Sequence, residues 1–185
     1  MDAVRLIVTS RHALAASGDA PGTLTEVWQA QALAQAIGSR LAVSGPPELR
    51  GEALGLTELA GRGCGVLDAP NLDTGDLRAA QLTELDDARH TLLCLGSLLA
   101  EVGIALIGMA SAADETTYWQ CMEAIDAADE SRDRVREMLR KLAAREEAAM
   151  PETEVGQPHP VRLPAAWPQA ASPPSAGPLP SPPAD

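Results

Sequence analysis

The stretch LLCLGSLLAEVGIALIGM, from Leu92 to Met109, holds eighteen residues and a single charge, at Glu101. A run of this length and apolarity either crosses a membrane or lies in the core of a soluble helical protein. An acidic side chain near the centre of a span costs roughly 2.5–3.5 kcal/mol, and acidic segments flank the run, ELDDARH before it and DETTYWQ after it. We therefore predict a buried central helix, with a membrane span and a homodimer seam as alternatives.

The composition favours an all-α protein with an aliphatic core. Hydrophobic residues make up 45% of the 185 positions, yet aromatic residues make up only 2% and Phe is absent. Ala and Leu favour helices, whereas strands prefer β-branched and aromatic residues. The chain carries 14 basic against 26 acidic residues, a net charge of −12. Nucleic acids and anionic membrane surfaces require clustered positive charge, so neither is an expected partner.

Helical spacing of apolar residues predicts five helices that form a compact bundle. Thr23 and Glu26 have the spacing of a capping box at the start of the second helix. Within the fifth, the segment DAADESRDR (126–134) interrupts the apolar line, so this helix either leaves the core there or breaks. The predicted bounds are Ala3 to Ser17, Thr23 to Val43, the SGPP turn (44–47) to Ala60, Asp76 or Thr83 to Ala112, and Asp114 to Ala149, with a loop from Gly61 to Asp76.

The chain changes character at Pro151. Eleven of the fifteen prolines fall in the last 35 residues, and such a segment lacks the apolar mass that offsets the entropy of ordering. We predict a helical bundle domain at 1–150 and a disordered, proline-rich tail at 151–185. VRLPAAWP (161–168) within that tail is a possible docking motif.

The three cysteines, Cys64, Cys94 and Cys121, include no C-x-x-C pair, which argues against a zinc knuckle or a thioredoxin motif. Free thiols are typical of a reducing compartment, and the N-terminus does not resemble a secretory signal. These features predict a cytoplasmic location.

Asp87, His90 and Cys94 share one face of the predicted fourth helix. Di-iron bundles use an acid-x-x-His pair on each of two helices, and here the second pair is missing because Thr9 stands three residues before His12. His90 and Cys94 also have no orienting third group, so no metal, cofactor or catalytic residue is predicted. The glycine-rich GRGCG (61–65) lacks the spacing of a phosphate-binding loop.

Glu101 is the residue of greatest interest, since a buried carboxylate must be paired, hydrogen-bonded or protonated. Arg11 and Arg132 both lie on otherwise apolar helical lines and are the candidate partners. An ion pair that specifies the fold is the first interpretation, and an anchor for a ligand is the second.

The segment TEVWQAQALAQAIGSRLAVSGPPELRGEA, Thr25 to Ala53, resembles small actinobacterial proteins of a domain-of-unknown-function family. The resemblance covers about the first 150 residues and implies no activity and no site. We predict a non-enzymatic helical scaffold or regulatory interaction module that binds an unknown protein partner or a second copy; nucleic acid is not a partner and a membrane is not expected. The alternative is a small-molecule-binding or enzymatic bundle with its site near Glu101, His90 and Cys94.

Overall fold

A computed structural model gives the structure of the protein for residues 1–67, 69–70, 72–73 and 75–149. These residues contain no β-strand apart from an isolated β-bridge between Asp2 and Glu84. The prediction of an all-α bundle of about five helices is confirmed. The helices are α1 (Ala3–Ala16), α2 (Ala20–Ser44), α3 (Arg50–Val66), α4 (Ala88–Ala110) and α5 (Glu115–Ala149), with single 3-10 turns at Pro47–Leu49 and Arg78–Gln81.

The helices surround one aliphatic core. α3 packs against α2 and α5, α4 packs against α5, α2 and α1, and α1 also contacts α2. No aromatic residue is among the largest fully buried side chains of the described residues, as the composition predicts. These side chains are Leu6, Ile7, Leu33, Ile37, Leu41, Leu49, Leu56, Leu92, Leu95, Leu98, Leu99 and Leu106. The predicted tail, 151–185, lies outside the described residues.

α2 begins three residues earlier than predicted. The Asp19 carboxylate accepts a hydrogen bond from the Gly22 N–H at 2.8 Å, and Pro21 occupies the first turn, where its missing N–H has no cost. The predicted capping box is wrong, because Thr23 is already inside the helix and its N–H donates to the Asp19 carbonyl. Glu26 instead forms an ion pair with Arg78.

α3 extends to Val66, so the first six residues of the predicted loop are helical. Glycines allow this helix to approach its neighbours closely. A Cβ atom at Gly63 would lie 2.9 Å from the Gln31 side chain and 3.3 Å from the Ala127 Cβ. On the facing helix, a Cβ at Gly38 would lie 2.7 Å from the Thr57 hydroxyl oxygen. These glycines, which weaken a helix in isolation, fit the packing of α2, α3 and α5.

The start of α4 and the middle of α5 also differ from the predictions. α4 begins after Asp87, whose carboxylate accepts the His90 N–H at 2.9 Å, and not at Asp76 or Thr83. α5 is continuous from end to end and remains in the core. Its central segment presents Ala127, Ala128 and Ser131, which are fully buried. These small side chains permit close helix packing. α5 therefore stays in the core here, although this segment has few large apolar residues.

Candidate functional site

One face of α4 is apolar and exposed. Its exposed large side chains are Leu93, Ile104 and Ile107, with 51%, 70% and 60% of their surface accessible. Ser97 and Ala100 lie between them, and Ala100 is half-buried. The positions 93, 97, 100, 104 and 107 follow one another at steps of four and three residues, which places them on a single stripe. We call these five residues the α4 stripe.

The α4 stripe is uncovered because the neighbouring helices lie to its sides. α1 contacts α4 on the side that carries Glu101, and α5 contacts it on the side of Gly96, where an added Cβ would meet Val135 at 3.5 Å. α3 packs on α2 and α5, at the other side of the bundle. α4 is therefore central in its contacts, but the expectation that neighbours enclose it on every side is wrong.

The Arg11–Glu101 ion pair borders the stripe and joins α1 to α4. The Arg11 Nε donates to both carboxylate oxygens of Glu101, at 2.9 and 3.1 Å, and the Nη2 makes a further short contact. Hydrogen bonding to Glu101 raises the pKa of Arg11. Of the two predicted partners of Glu101, Arg11 is confirmed and Arg132 is wrong, because Arg132 pairs with Asp129 at 3.0 Å. Glu101 is half-buried and not fully buried.

His90, Cys94 and Glu101 lie on one side of α4 but do not converge. His90 and Glu101 are eleven positions apart, which corresponds to about 16 Å along the helix axis. His90 is exposed, Cys94 is half-buried, and the Glu101 oxygens are engaged by Arg11. Among the described residues, no group of three or more His, Cys, Asp or Glu side chains could hold a metal ion.

All three cysteines are free thiols. Cys121 is fully buried on α5, and burial raises its pKa, so the thiol stays neutral. A neutral, enclosed thiol is a poor nucleophile and packs as a small hydrophobic side chain. Cys121 is therefore part of the core and not a reactive thiol.

α4 is also the one helix in the described part of the chain whose length and composition would allow it to cross a membrane. A mostly buried core helix of a soluble protein passes the same test, but only 33% of the apolar window of α4 is buried against the other helices. The sequence did not reveal that Leu93, Ile104 and Ile107 form the open side. An apolar pattern around the whole helix carries no signal of which side lacks a neighbour.

Residues 1–141, about three quarters of the chain, match a family model described as a family of unknown function (DUF6099). No curated protein and no solved structure matches the chain significantly. The match covers all five helices except the last turns of α5. The chain thus belongs to the DUF6099 family, whose function is unknown.

Proposed function

We propose that the protein is a non-enzymatic interaction module that self-associates through the α4 stripe. The observation that carries the proposal is the exposure of Leu93, Ile104 and Ile107 on one helix face. Contiguous exposed apolar surface on a soluble protein marks an interaction site. The steps of four and three residues are those of a helix–helix seam, which favours a helix as the occupant.

The stripe is complementary to a second copy of itself. In a two-fold symmetric, antiparallel pair centred on Ala100, Leu93 of one copy faces Ile107 of the other and Ser97 faces Ile104. Two-fold symmetry requires such a self-complementary surface, in which each contact occurs twice. The pairing sets a small side chain against a large one at two positions, and Ala100 against itself at the axis allows the helices to approach closely.

Charge also favours a second copy at this position. The chain has a net charge of −12, so most surfaces of two copies repel each other. The α4 stripe carries no charge, and the bordering Glu101 is neutralised by Arg11. Depletion of charge at the centre is characteristic of protein interfaces.

The exposed area supports a weak, reversible dimer. Full burial of a Leu or Ile side chain contributes about 1.5–3 kcal/mol. Covering the exposed fractions of Leu93, Ile104 and Ile107 therefore contributes roughly 3–5 kcal/mol per copy. Two copies double this gain, whereas association costs about 4–15 kcal/mol of lost freedom. We expect a dimer that dissociates on dilution through the micromolar range or above.

The proposal places the protein in the cytoplasm, which the three free thiols support. It also keeps α4 out of the bilayer, where Glu101 near the middle of the span would be unfavourable. The contacts of α4 with α1, α2 and α5 supply the helix with a protein environment instead.

Cysteine cross-linking tests the seam and its direction. In a Cys94→Ala background, an Ala100→Cys variant should form a cross-linked dimer, because the two-fold axis brings residue 100 close to its own copy. Leu93→Cys alone should not cross-link, whereas a mixture of Leu93→Cys and Ile107→Cys should.

A matched control is Leu54→Cys, on a side chain that is also 51% exposed but belongs to α3. This variant should not be cross-linked under the same oxidation. Efficient cross-linking of Leu93→Cys with itself would show a parallel seam and overturn the proposed arrangement. Equal cross-linking of Ala100→Cys and Leu54→Cys would indicate random collision and contradict self-association through α4.

A further inference from the structure

A groove of about 670 Å³ runs along α2, on a part of the surface separate from the α4 stripe. Its volume lies in the range of about 300–1,000 Å³ that is usual for small-molecule sites. Positions 28, 32, 36, 39 and 43 recur at helical spacing, so α2 presents one continuous wall. The segment from Leu77 to Leu82 forms the opposite wall, and the apolar lining includes Trp28, Ala32, Ala36, Val43, Leu77 and Leu82.

The opposite wall is held in place at both ends, so the groove is preorganised. At one end, the Gln29 side chain bonds the Asp76 carbonyl at 2.9 Å and the Arg78 N–H at 3.0 Å. Arg78 also pairs with Glu26, and their side chains are only 13% and 18% exposed. At the other end, Arg40 donates to the Leu82 carbonyl at 3.4 Å. These contacts fix the position of the segment relative to α2.

The charge of the groove is opposite to that of the protein. Among its described lining residues Arg40 is the only charged one, and no carboxylate is present. Among the described residues Arg40 makes one long hydrogen bond, to the Leu82 carbonyl, and this bond uses one of its five N–H donors. Ser39 and Gln35 add neutral hydrogen-bonding groups at the same wall. A guanidinium beside apolar surface is suited to a carboxylate or sulfonate that carries an apolar body.

The cysteine in the groove argues for binding and against covalent chemistry. The Cys64 thiol donates to the Trp28 carbonyl across 3.7 Å. Burial raises the pKa of Cys64 to about 12, so the thiol is not ionised at neutral pH. A neutral thiol is neither a good nucleophile nor a competing negative charge.

We infer that this groove binds a small amphipathic anion, with the apolar body against Trp28, Ala36 and Val43 and the anionic group at Arg40. The site is independent of the α4 stripe, which lies on another helix and carries no charge. Ligand binding in this groove would therefore be a second property of the protein, in addition to the proposed self-association.

Titration of the full chain with 8-anilinonaphthalene-1-sulfonate tests the inference, with the neutral N-phenyl-1-naphthylamine as the matched probe. We expect saturable binding of the sulfonate that Arg40→Gln weakens about tenfold, the effect of one lost charge-assisted hydrogen bond. Arg40→Lys should retain most of the affinity. The neutral probe should bind wild type and Arg40→Gln equally, whereas Ala36→Leu should weaken both probes by filling the groove.

Arg50→Gln is the control for loss of a positive charge, since Arg50 is exposed and lies outside the groove. An equal loss of sulfonate affinity in Arg50→Gln would overturn the inference, because it would reflect net charge alone. Loss of dye binding in Ile104→Lys with no effect of Arg40→Gln would also overturn it, by assigning the dye to the α4 stripe. The groove variants Arg40→Gln and Ala36→Leu should leave the mass of the dimer unchanged. A failure of the ligand-binding inference can therefore be distinguished from a failure of the proposed self-association.

Discussion

Replacing Glu101 by Gln tests whether this carboxylate is a satisfied ion pair or an unused functional group. Gln keeps the size of the side chain and removes its charge, so the packing of α1 on α4 is preserved. In the structure both carboxylate oxygens receive hydrogen bonds from Arg11. We therefore expect Glu101→Gln to destabilise the protein. A carboxylate without a partner at this half-buried position would instead gain stability on neutralisation.

The expected size follows from the exposure of the pair. The Arg11 and Glu101 side chains are 42% and 35% exposed, so solvent screens much of the attraction. Exposed pairs contribute about 0.2–1 kcal/mol, and the engagement of both oxygens places this pair at the upper end. A loss of about 1 kcal/mol lowers the melting temperature of a domain of this size by roughly 2–4 °C.

The assay is a double-mutant cycle of Glu101→Gln and Arg11→Gln, measured by urea denaturation in an Ile104→Gln background, which adds no charge beside Glu101. The background variant removes the apolar seam, so that self-association does not contribute to stability. We expect a coupling free energy of about 0.5–1 kcal/mol between the two sites. A higher melting temperature for Glu101→Gln, or a coupling of zero, would refute the interpretation and make Glu101 a candidate ligand anchor.

Two further predictions concern stability. Hydrogen bonds from Arg134 and Lys141 lower the pKa of Glu52, so its stabilising contribution is present above the usual glutamate pKa and is lost as the pH falls through the lowered value. Glu52→Gln should thus be less stable than wild type at neutral pH in urea denaturation, with a difference that shrinks in acid; a constant difference would contradict this. Gly38→Ala should destabilise by about 1–3 kcal/mol through overpacking against backbone and side-chain atoms of α3. Gly51→Ala, where an added Cβ meets nothing within 4 Å, should instead stabilise slightly; equal thermal shifts for the two variants would exclude packing as the cause.

The five helices could be predicted because their apolar spacing and helix-forming composition agree. The pairing of Glu101 with Arg11 could also be predicted, since an arginine on the apolar line of α1 needs an acidic partner. The choice between Arg11 and Arg132 was not, because it depends on which helix packs beside α4. Local spacing contains no information on that neighbour.

The predicted helix boundaries were wrong where two local signals competed, or where tertiary contacts determined the end of the helix. Asp19 and Thr23 are both good N-caps, and the proline at position 21 favours the earlier one. The glycines after Ala60 indicate a loop by propensity, yet Gly63 allows α3 to pack tightly against α2 and α5. The exposed face of α4 could not be predicted for the same reason, because only the assembled bundle shows which side of the helix has no neighbour.

The central claim is self-association through α4, and light scattering on the full chain over a range of concentrations tests it most directly. We predict a mass that rises from monomer towards dimer with concentration, and that stays monomeric in Ile104→Lys. Leu54→Lys, which places the same charge on an exposed side chain of α3, should dimerise like wild type. A wild-type chain that remains monomeric at every concentration, or an Ile104→Lys variant that dimerises as wild type does, would contradict the account.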